Sequence, residues 1–358
     1  MKRQRGAVII IVLWTSVLLT VLVTAMASKV RLSAKTVVNN QDVSIQWAEL
    51  MGVVSQAEME LMMERMPRPL GEELEETEEG EIRTPALRFN GQELELNYPP
   101  PSENIVVRIY DHAGKINLNR IPRRNMQLLI EKRLGGLDAD PQEVQDILSA
   151  WTDWTDLNDL EGLNGAEKEY YEGLDQGYTP RNNPELDVVE EILHIRGFAE
   201  LFEGVNLDAA FTIYGNTRTV NLNLATREAM ELLPGLDEEL IENIIAYRER
   251  EDIQNRSEIA EIVPFENLQE LSPWVGNNTS NIYSIFVYAR NEFSGEEFAA
   301  MLEADEFSNP DRVTQSYSEI VEVSGYNNLP KVYKVDNYER LPDTTRSRVR
   351  EEDLLFEL

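Results

Sequence analysis

The 358-residue chain has no cysteine, only two histidines and, over its first 41 residues, no acidic side chain. The missing cysteine excludes a disulfide framework, a thiolate metal site and a thiol nucleophile. Of the two imidazoles, His112 falls at a strand end and His194 in an apolar helical segment. Both read as structural residues rather than acid–base groups. No P-loop, GxSxG, HExxH or GxGxxG signature occurs. Carboxylates are so abundant, 65 Asp and Glu in all, that paired acids carry no information about glycoside hydrolysis. The chain therefore reads as non-enzymatic.

What is present is strongly segregated. The net charge is −32, yet Lys2, Arg3, Arg5, Lys29, Arg31 and Lys35 make the first 41 residues +6, leaving −38 on the remainder. A body so negative repels phosphate backbones and anionic membrane surfaces and favours cations and basic partners. Its hydrophobic fraction of 42% supports a sizeable core, and the length fits two or more domains.

From Ala7 to Ala27 runs AVIIIVLWTSVLLTVLVTAMA, 21 residues without a charge. At ~1.5 Å per helical residue this run reaches about 30 Å, the thickness of a bilayer core. Basic residues flank both sides, so the positive-inside rule does not orient it decisively. Export of the large acidic body requires the short head to stay cytoplasmic. Between Ser28 and Met66 there is no proline, and Val30, Val37, Val43, Leu50, Val54, Leu61 and Met62 recur at near-helical steps. The spacing predicts one helix of nearly 60 residues, apolar over 7–27 and amphipathic over 28–68, stopped by Pro67 and Pro69.

Residues 70–84 hold seven glutamates between Glu72 and Glu81 and read as a solvated loop. LRFNGQELELNY predicts a hairpin turning at Asn90-Gly91, and Ile105–Tyr110 a further strand. From Lys115 to about Trp274 the pattern is helical: one helix through Met126, Leu128, Leu129 and Leu134, closed by Gly135-Gly136, and one opened by Pro141. A third covers Val188–Ile195, and a pair at 226–233 and 237–250 surrounds LPGL. Strands return after Asn281, in IYSIFVYAR, VTQSYSEIVEVS and KVYKVDNY, before a charged tail at 343–358. Strands on both sides of a helical block imply an insertion into one sheet.

The block contains a duplicated unit. KINLNRIPRRNMQLL from Lys115 aligns without a gap with TVNLNLATREAMELL from Thr219, so that Asn117, Asn119, Met126, Leu128 and Leu129 recur as Asn221, Asn223, Met230, Leu232 and Leu233. Each copy predicts a short Asn-Leu-Asn strand, a helix, a glycine turn and a second helix. The second copy, LLPGLDEELIENIIAYRER, resembles a helix-hairpin-helix with its turn at Pro234-Gly235 and a core of Leu236, Ile241, Ile244 and Ile245. Such turns cradle phosphates in DNA-binding proteins. Asp237, Glu238, Glu239 and Glu242 crowd this one, so the hairpins read as protein-packing units and no nucleic-acid partner is expected.

Four features, in order, carry a resemblance to a known family: the Arg5-Gly6-Ala7 junction before the apolar stem, GKINLNRI, DWTDLNDLEGLNGAEKEYY, and VNLNLATREAMELLPGL. The chain resembles the K-type minor pseudopilin of type II secretion, also called general secretion pathway protein K. The resemblance implies an α+β fold: a pilin-like long N-terminal helix and an antiparallel sheet, with a large all-α insertion containing helix-hairpin-helix-like repeats. The segments would be a prepilin leader at 1–6, a transmembrane helix at 7–27, an amphipathic stem at 28–68, sheet at 69–113 and 276–342, the inserted helical domain at 114–275 and a charged tail at 343–358. It implies processing by a prepilin peptidase between Gly6 and Ala7, with N-methylation of Ala7. Counting from Ala7, the fifth residue is Ile11 where most pilins carry glutamate; K-type proteins similarly lack it, which fits a filament tip. The implied partners are the I-type and J-type minor pseudopilins, the major pseudopilin and the inner-membrane secretion machinery. The implied location is the inner membrane, single-pass, with the soluble domain periplasmic. The competing reading is a membrane-anchored helix-hairpin-helix receptor that binds DNA or another polymer.

Between Asp153 and Glu169 the sequence is dense in oxygen donors, as a calcium site with six to eight ligands requires. The family is similar in binding metal through acidic residues of this loop. Its pattern, Asp-Trp-x-Asp-x-Asp and then Gly-Ala-Glu-Asp, places Asp153, Asp156, Asn158 and Glu167 on ligand positions, and Glu161 lies between them. Asn158 stands for an aspartate and Lys168 for the last acid. The competing reading is a solvated acidic loop with helix caps.

Overall fold

A computed structural model describes residues 5–66, 88–94, 96, 105–174, 177–289 and 316–337. The glutamate-rich stretch, the leader residues before Arg5 and the charged tail lie outside the described residues. The chain divides into two units, 1–52 and 53–358.

Helix α1 runs without a break over Arg5–Glu64. Within the first unit, Ile11, Trp14, Leu18, Leu22, Met26 and Val37 are exposed. Thr20 and Thr24 turn their hydroxyls back onto the carbonyls of Ser16 and Thr20, which satisfies them without solvent. Among the described residues this is the one helix long and apolar enough to cross a membrane, with a mean hydropathy of 2.4 in its most apolar window. It is compatible with a transmembrane anchor.

In the second unit, β1 (Asn90–Glu93), β2 (Ile105–Asp111), β5 (Ile282–Ala289), β6 (Ser316–Glu322) and β7 (Lys331–Asn337) form an antiparallel sheet in the order β1-β2-β5-β6-β7. β2 and β5 pair directly, from Ile105 opposite Ala289 to Asp111 opposite Tyr283, so the whole intervening block leaves and returns at one end of the sheet. The end of α1 packs on this sheet. Val53, Val54, Ala57 and Leu61 are buried, and Arg65 donates to the Ser280 carbonyl and the Tyr283 hydroxyl. The fold is thus α+β, a long N-terminal helix with an antiparallel sheet.

The predicted turn at Asn90-Gly91 is corrected. Those residues lie inside β1, where the register with β2 shifts between Asn90 and Glu93. Gly91 has φ 87°, and a Cβ there would sit 2.1 Å from the Tyr110 ring. The glycine serves a bulge under an aromatic ring rather than a hairpin.

The block between the sheet strands contains β3 (Ile116–Asn117), α2 (Arg123–Arg133), α3 (Pro141–Trp154), α4 (Lys168–Gly173), α5 (Phe198–Leu201), α6 (Leu207–Ala210), β4 (Phe211–Thr212), α7 (Arg227–Leu232), α8 (Glu238–Arg248), α9 (Arg256–Ile262) and α10 (Phe265–Leu271). One core of buried side chains, including Met126, Leu129, Trp151, Phe198, Met230 and Ile244, runs through it. The predicted helix at Val188–Ile195 is a 3-10 helix over Val189–His194, and its His194 is exposed and stacks on Tyr178 at 4.3 Å. Tertiary packing of a short apolar segment, rather than helix propensity, sets that geometry.

The duplication persists in the hydrogen bonds. Asn117 and Asn221 each accept the N–H two residues on, of Asn119 and Asn223. Each also donates to a distant carbonyl, Tyr214 and Asn278 respectively. Asn119 grips both the N–H and the carbonyl of Leu186, and Asn223 grips both of Ile253. β3 pairs in parallel with β4, and Val220 makes a parallel bridge to Val275. The two copies touch: Lys132 of α2 donates to the carbonyls of Leu233 and Leu236 in the second turn, at 2.7 and 2.9 Å.

Candidate metal centre

The acidic loop follows α3. Asp140 caps the start of that helix through the Gln142 N–H, and Pro141 occupies its first turn. The helix presents Val144, Ile147, Leu148 and Trp151 to the core and carries Asp153 as a buried residue of its last turn. The Asp153 carboxylate accepts the N–H groups of Gly162, at 3.1 and 3.2 Å, and Ala166, at 2.9 Å. Gly165 must be glycine for this: an added Cβ would lie 1.7 Å from Asp153 Oδ2. Asn164 adopts φ 56° and donates to Asp146. Arg196 donates to the carbonyls of Asn164, Gly165 and Asp146. The loop is therefore held from beneath by a guanidinium and a buried carboxylate.

This architecture brings three of the five expected donors together. Carboxylate oxygens of Asp153, Asp156 and Glu167 lie within 4.8 Å of one another. Glu167 is buried to 4% exposure. One of its oxygens takes the Lys168 N–H, and the other, Oε1, has no hydrogen-bond partner. Burial first, then the N–H bond against it and the charges of Asp153, Asp156 and Asp159, leave the Glu167 carboxyl pushed up to about 6. A buried, unpartnered acid beside two others fits a hard cation, which would supply the missing positive charge and accept the orphan oxygen. Of the other two donors, the Asn158 side-chain oxygen accepts the Leu160 N–H, which leaves it a second lone pair, and Glu161 is exposed and outside the cluster of three carboxylates. The Lys168 ammonium pairs with Glu172 on the same helix.

His112 is buried between Thr212 and Ser284, each 2.7 Å from a ring nitrogen, and burial holds its pKa well below the usual imidazole value. It borders a cavity of about 30 Å³, room for a water or two, and serves as a joint between the block and the sheet. The second hairpin turn is not open to a phosphate. A Cβ on Gly235 would meet the Asn267 carbonyl at 2.4 Å, and Asn267 donates to the Gly235 carbonyl at 2.9 Å, so α10 covers the turn. The sequence did not signal this cover, because α9 and α10 carry no motif.

A long N-terminal helix, an antiparallel sheet and a helical block leaving between two paired strands make up the fold with which known proteins can be compared. Residues 114–202, the first part of the block and the part that holds the acidic loop, match the family described as type II secretion system (T2SS), protein K. Over those residues the chain is similar to that family. Its fold is similar to that of a chain in the crystal structure of the GspK-GspI-GspJ complex from the type 2 secretion system of enterotoxigenic Escherichia coli, with a TM-score of 0.50 and 12% identity over 84% of this chain and 100% of that chain. At that identity the likeness is one of fold. None of the curated proteins matches the chain.

Proposed function

We propose that the chain caps or nucleates the type II secretion pseudopilus at its tip, for export of folded periplasmic proteins. It acts with I-type and J-type minor pseudopilins, above the major pseudopilin and the inner-membrane machinery. The observation that carries this is Ile11. At the fifth position from Ala7, α1 carries an apolar side chain, so the helix offers no carboxylate to the N-terminal ammonium of a subunit above it. A lone carboxylate at that depth would be costly without such a partner, and a terminal subunit, with none above it, has no need of one. Prepilin peptidase cuts after Gly6, Ala7 is methylated, and the body from the stem onward is periplasmic. The segment limits given above, with sheet at 69–113 and 276–342 around a helical domain at 114–275, belong to the same reading, as do the helix-hairpin-helix-like repeats.

In this reading calcium is held by Asp153, Asp156 and Glu167, with Asn158 and Glu161 as further oxygen donors of the same loop. The ion is structural: it neutralises the cluster and fixes the loop, and no step of chemistry depends on it. The competing polymer receptor is disfavoured by the covered turn at Gly235 and the acids after it.

Co-expression with I-type and J-type partners tests the assembly role. A stoichiometric ternary complex is expected, and partners that ignore this chain would end the tip assignment. Mass spectrometry of the mature N-terminus should find methylated Ala7; an uncut leader removes the pilin-type processing. Calcium should raise the melting temperature, chelator should lower it, and Asp156→Ala should abolish the difference.

A further inference from the structure

Three polar side chains of the acidic loop are spent on its own backbone, Asp153 on Gly162 and Ala166, Asp156 on the Asn158 N–H and Asn158 on the Leu160 N–H, while Asp159 and Glu161 are exposed. Its apolar side chains face out. Leu157, Leu160 and Leu163 are 72%, 78% and 86% exposed. Three leucines in solvent within seven residues are not explained by the fold, since each forgoes the free energy that burial would give. Nor is the loop loose. Arg196 holds the Asn164 and Gly165 carbonyls, and Asn182 donates to Asp159 at 2.9 Å. An ordered loop that displays leucines is built to be covered by something else.

The charges around the leucines select the occupant. Asp159 and Glu161 interleave with them, and Glu169 and Glu172 follow in α4. An anionic lipid surface would be repelled. A second copy docking through the same loop would set these acids against their own duplicates. A protein surface with an apolar groove and a Lys/Arg rim satisfies both halves of the pattern, the leucines entering the groove and the carboxylates meeting the rim. We propose that Leu157, Leu160 and Leu163 form a docking element for a protein partner of that chemistry. The inference rests on exposure and charge and is independent of the tip role.

The test uses the full chain in zwitterionic nanodiscs and two designed helical peptides with identical leucine faces, one flanked by lysine and one by glutamate, with binding to empty nanodiscs subtracted. The lysine peptide is expected to bind and the glutamate peptide not to. Leu157→Ser, Leu160→Ser and Leu163→Ser combined should weaken binding at least about tenfold without moving the melting temperature. Should the triple variant fold poorly, Leu160→Ser alone should still weaken binding measurably. Replacing Glu238, Glu239 and Glu242 by glutamine, a loss of three acids outside the loop, should change it less than about twofold. Undiminished binding by the leucine variants would reduce the effect to net charge and overturn the proposal. Leucine-dependent capture by neutral phosphatidylcholine vesicles would make lipid the occupant, and self-association lost in the triple variant would make it a second copy; either also overturns it.

Discussion

The Asp111 carboxylate receives the backbone N–H of Ser280 at 3.1 and 3.2 Å across 169 residues of chain. Asp111 ends β2, where the helical block departs, and Ser280 precedes β5, where it returns. The same carboxylate takes the Ala113 N–H at 2.8 Å, and the Ser280 carbonyl receives Arg65 from the end of α1. Stem, exit and return thus meet at one buried acid, whose pKa burial pushes up to about 6 while these N–H groups and Arg65 hold it back. Asp111→Ala should destabilise the body by about 1–3 kcal/mol, because it orphans two buried N–H groups. Asp111→Asn, which keeps one acceptor, should cost less. Urea denaturation of the full chain checks the order of the two variants.

A second acid on the sheet sets a pH dependence. Glu319 of β6 is buried beside Glu58 of α1, and the Tyr317 hydroxyl donates to it at 3.1 Å. Burial chiefly, then the neighbouring Glu58 charge, pushes Glu319 up to about 7 from 4.5. The folded state therefore holds a proton that the unfolded chain releases. The associated stability is full below about pH 4.5 and is lost as pH rises through about 7. Glu319→Gln should raise the melting temperature at pH 8 and leave it nearly unchanged at pH 4.5. A gain of equal size at both values would show that ionisation is not the cause.

The equivalence of Asn119 and Asn223 is open to direct measurement. Each holds the N–H and the carbonyl of one remote residue, Leu186 and Ile253. Substitution of either by alanine should cost about 1–3 kcal/mol. With no shared partner, the two losses should add to within about 0.5 kcal/mol. A cost at one site alone would show that the duplication no longer has a structural role.

Gly165→Ala probes the loop from beneath. The added methyl would collide with Asp153 Oδ2 at 1.7 Å and force the carboxylate off its N–H donors. A loss of about 1–3 kcal/mol is expected, together with a smaller calcium-induced rise in melting temperature. An unchanged calcium response would separate Asp153 from the ion.

Much was legible in the sequence because it depends on local pattern. The uncharged run at 7–27 and the proline-free stretch after it set a single helix ending just before Pro67. Pro141 and the Val144, Ile147, Leu148 and Trp151 face set α3. The duplicated Asn-Leu-Asn was visible as a repeat, but its roles were not, since Leu186 and Ile253 carry no mark of being gripped. Asn90-Gly91 misled for the same reason: the dipeptide states that positive φ is tolerated, and the Tyr110 ring decides that it is used for a bulge. Of the acidic loop, composition supplied five donors, while the chain path gathered Asp153, Asp156 and Glu167 and left Glu161 in solvent.

By itself, then, the sequence determined the long N-terminal helix with its apolar first part, the helical block between strands and the acidic character of its loop, because hydrophobic period, proline placement and charge act over a few residues. Only the tertiary structure decided that Asp111 and Ser280 close the block, that α10 covers the Gly235 turn, and that three leucines beside three clustered carboxylates face outward. Those outcomes turn on which distant backbone groups and side chains come within a few ångströms of one another, and contacts between remote residues leave no period in a sequence.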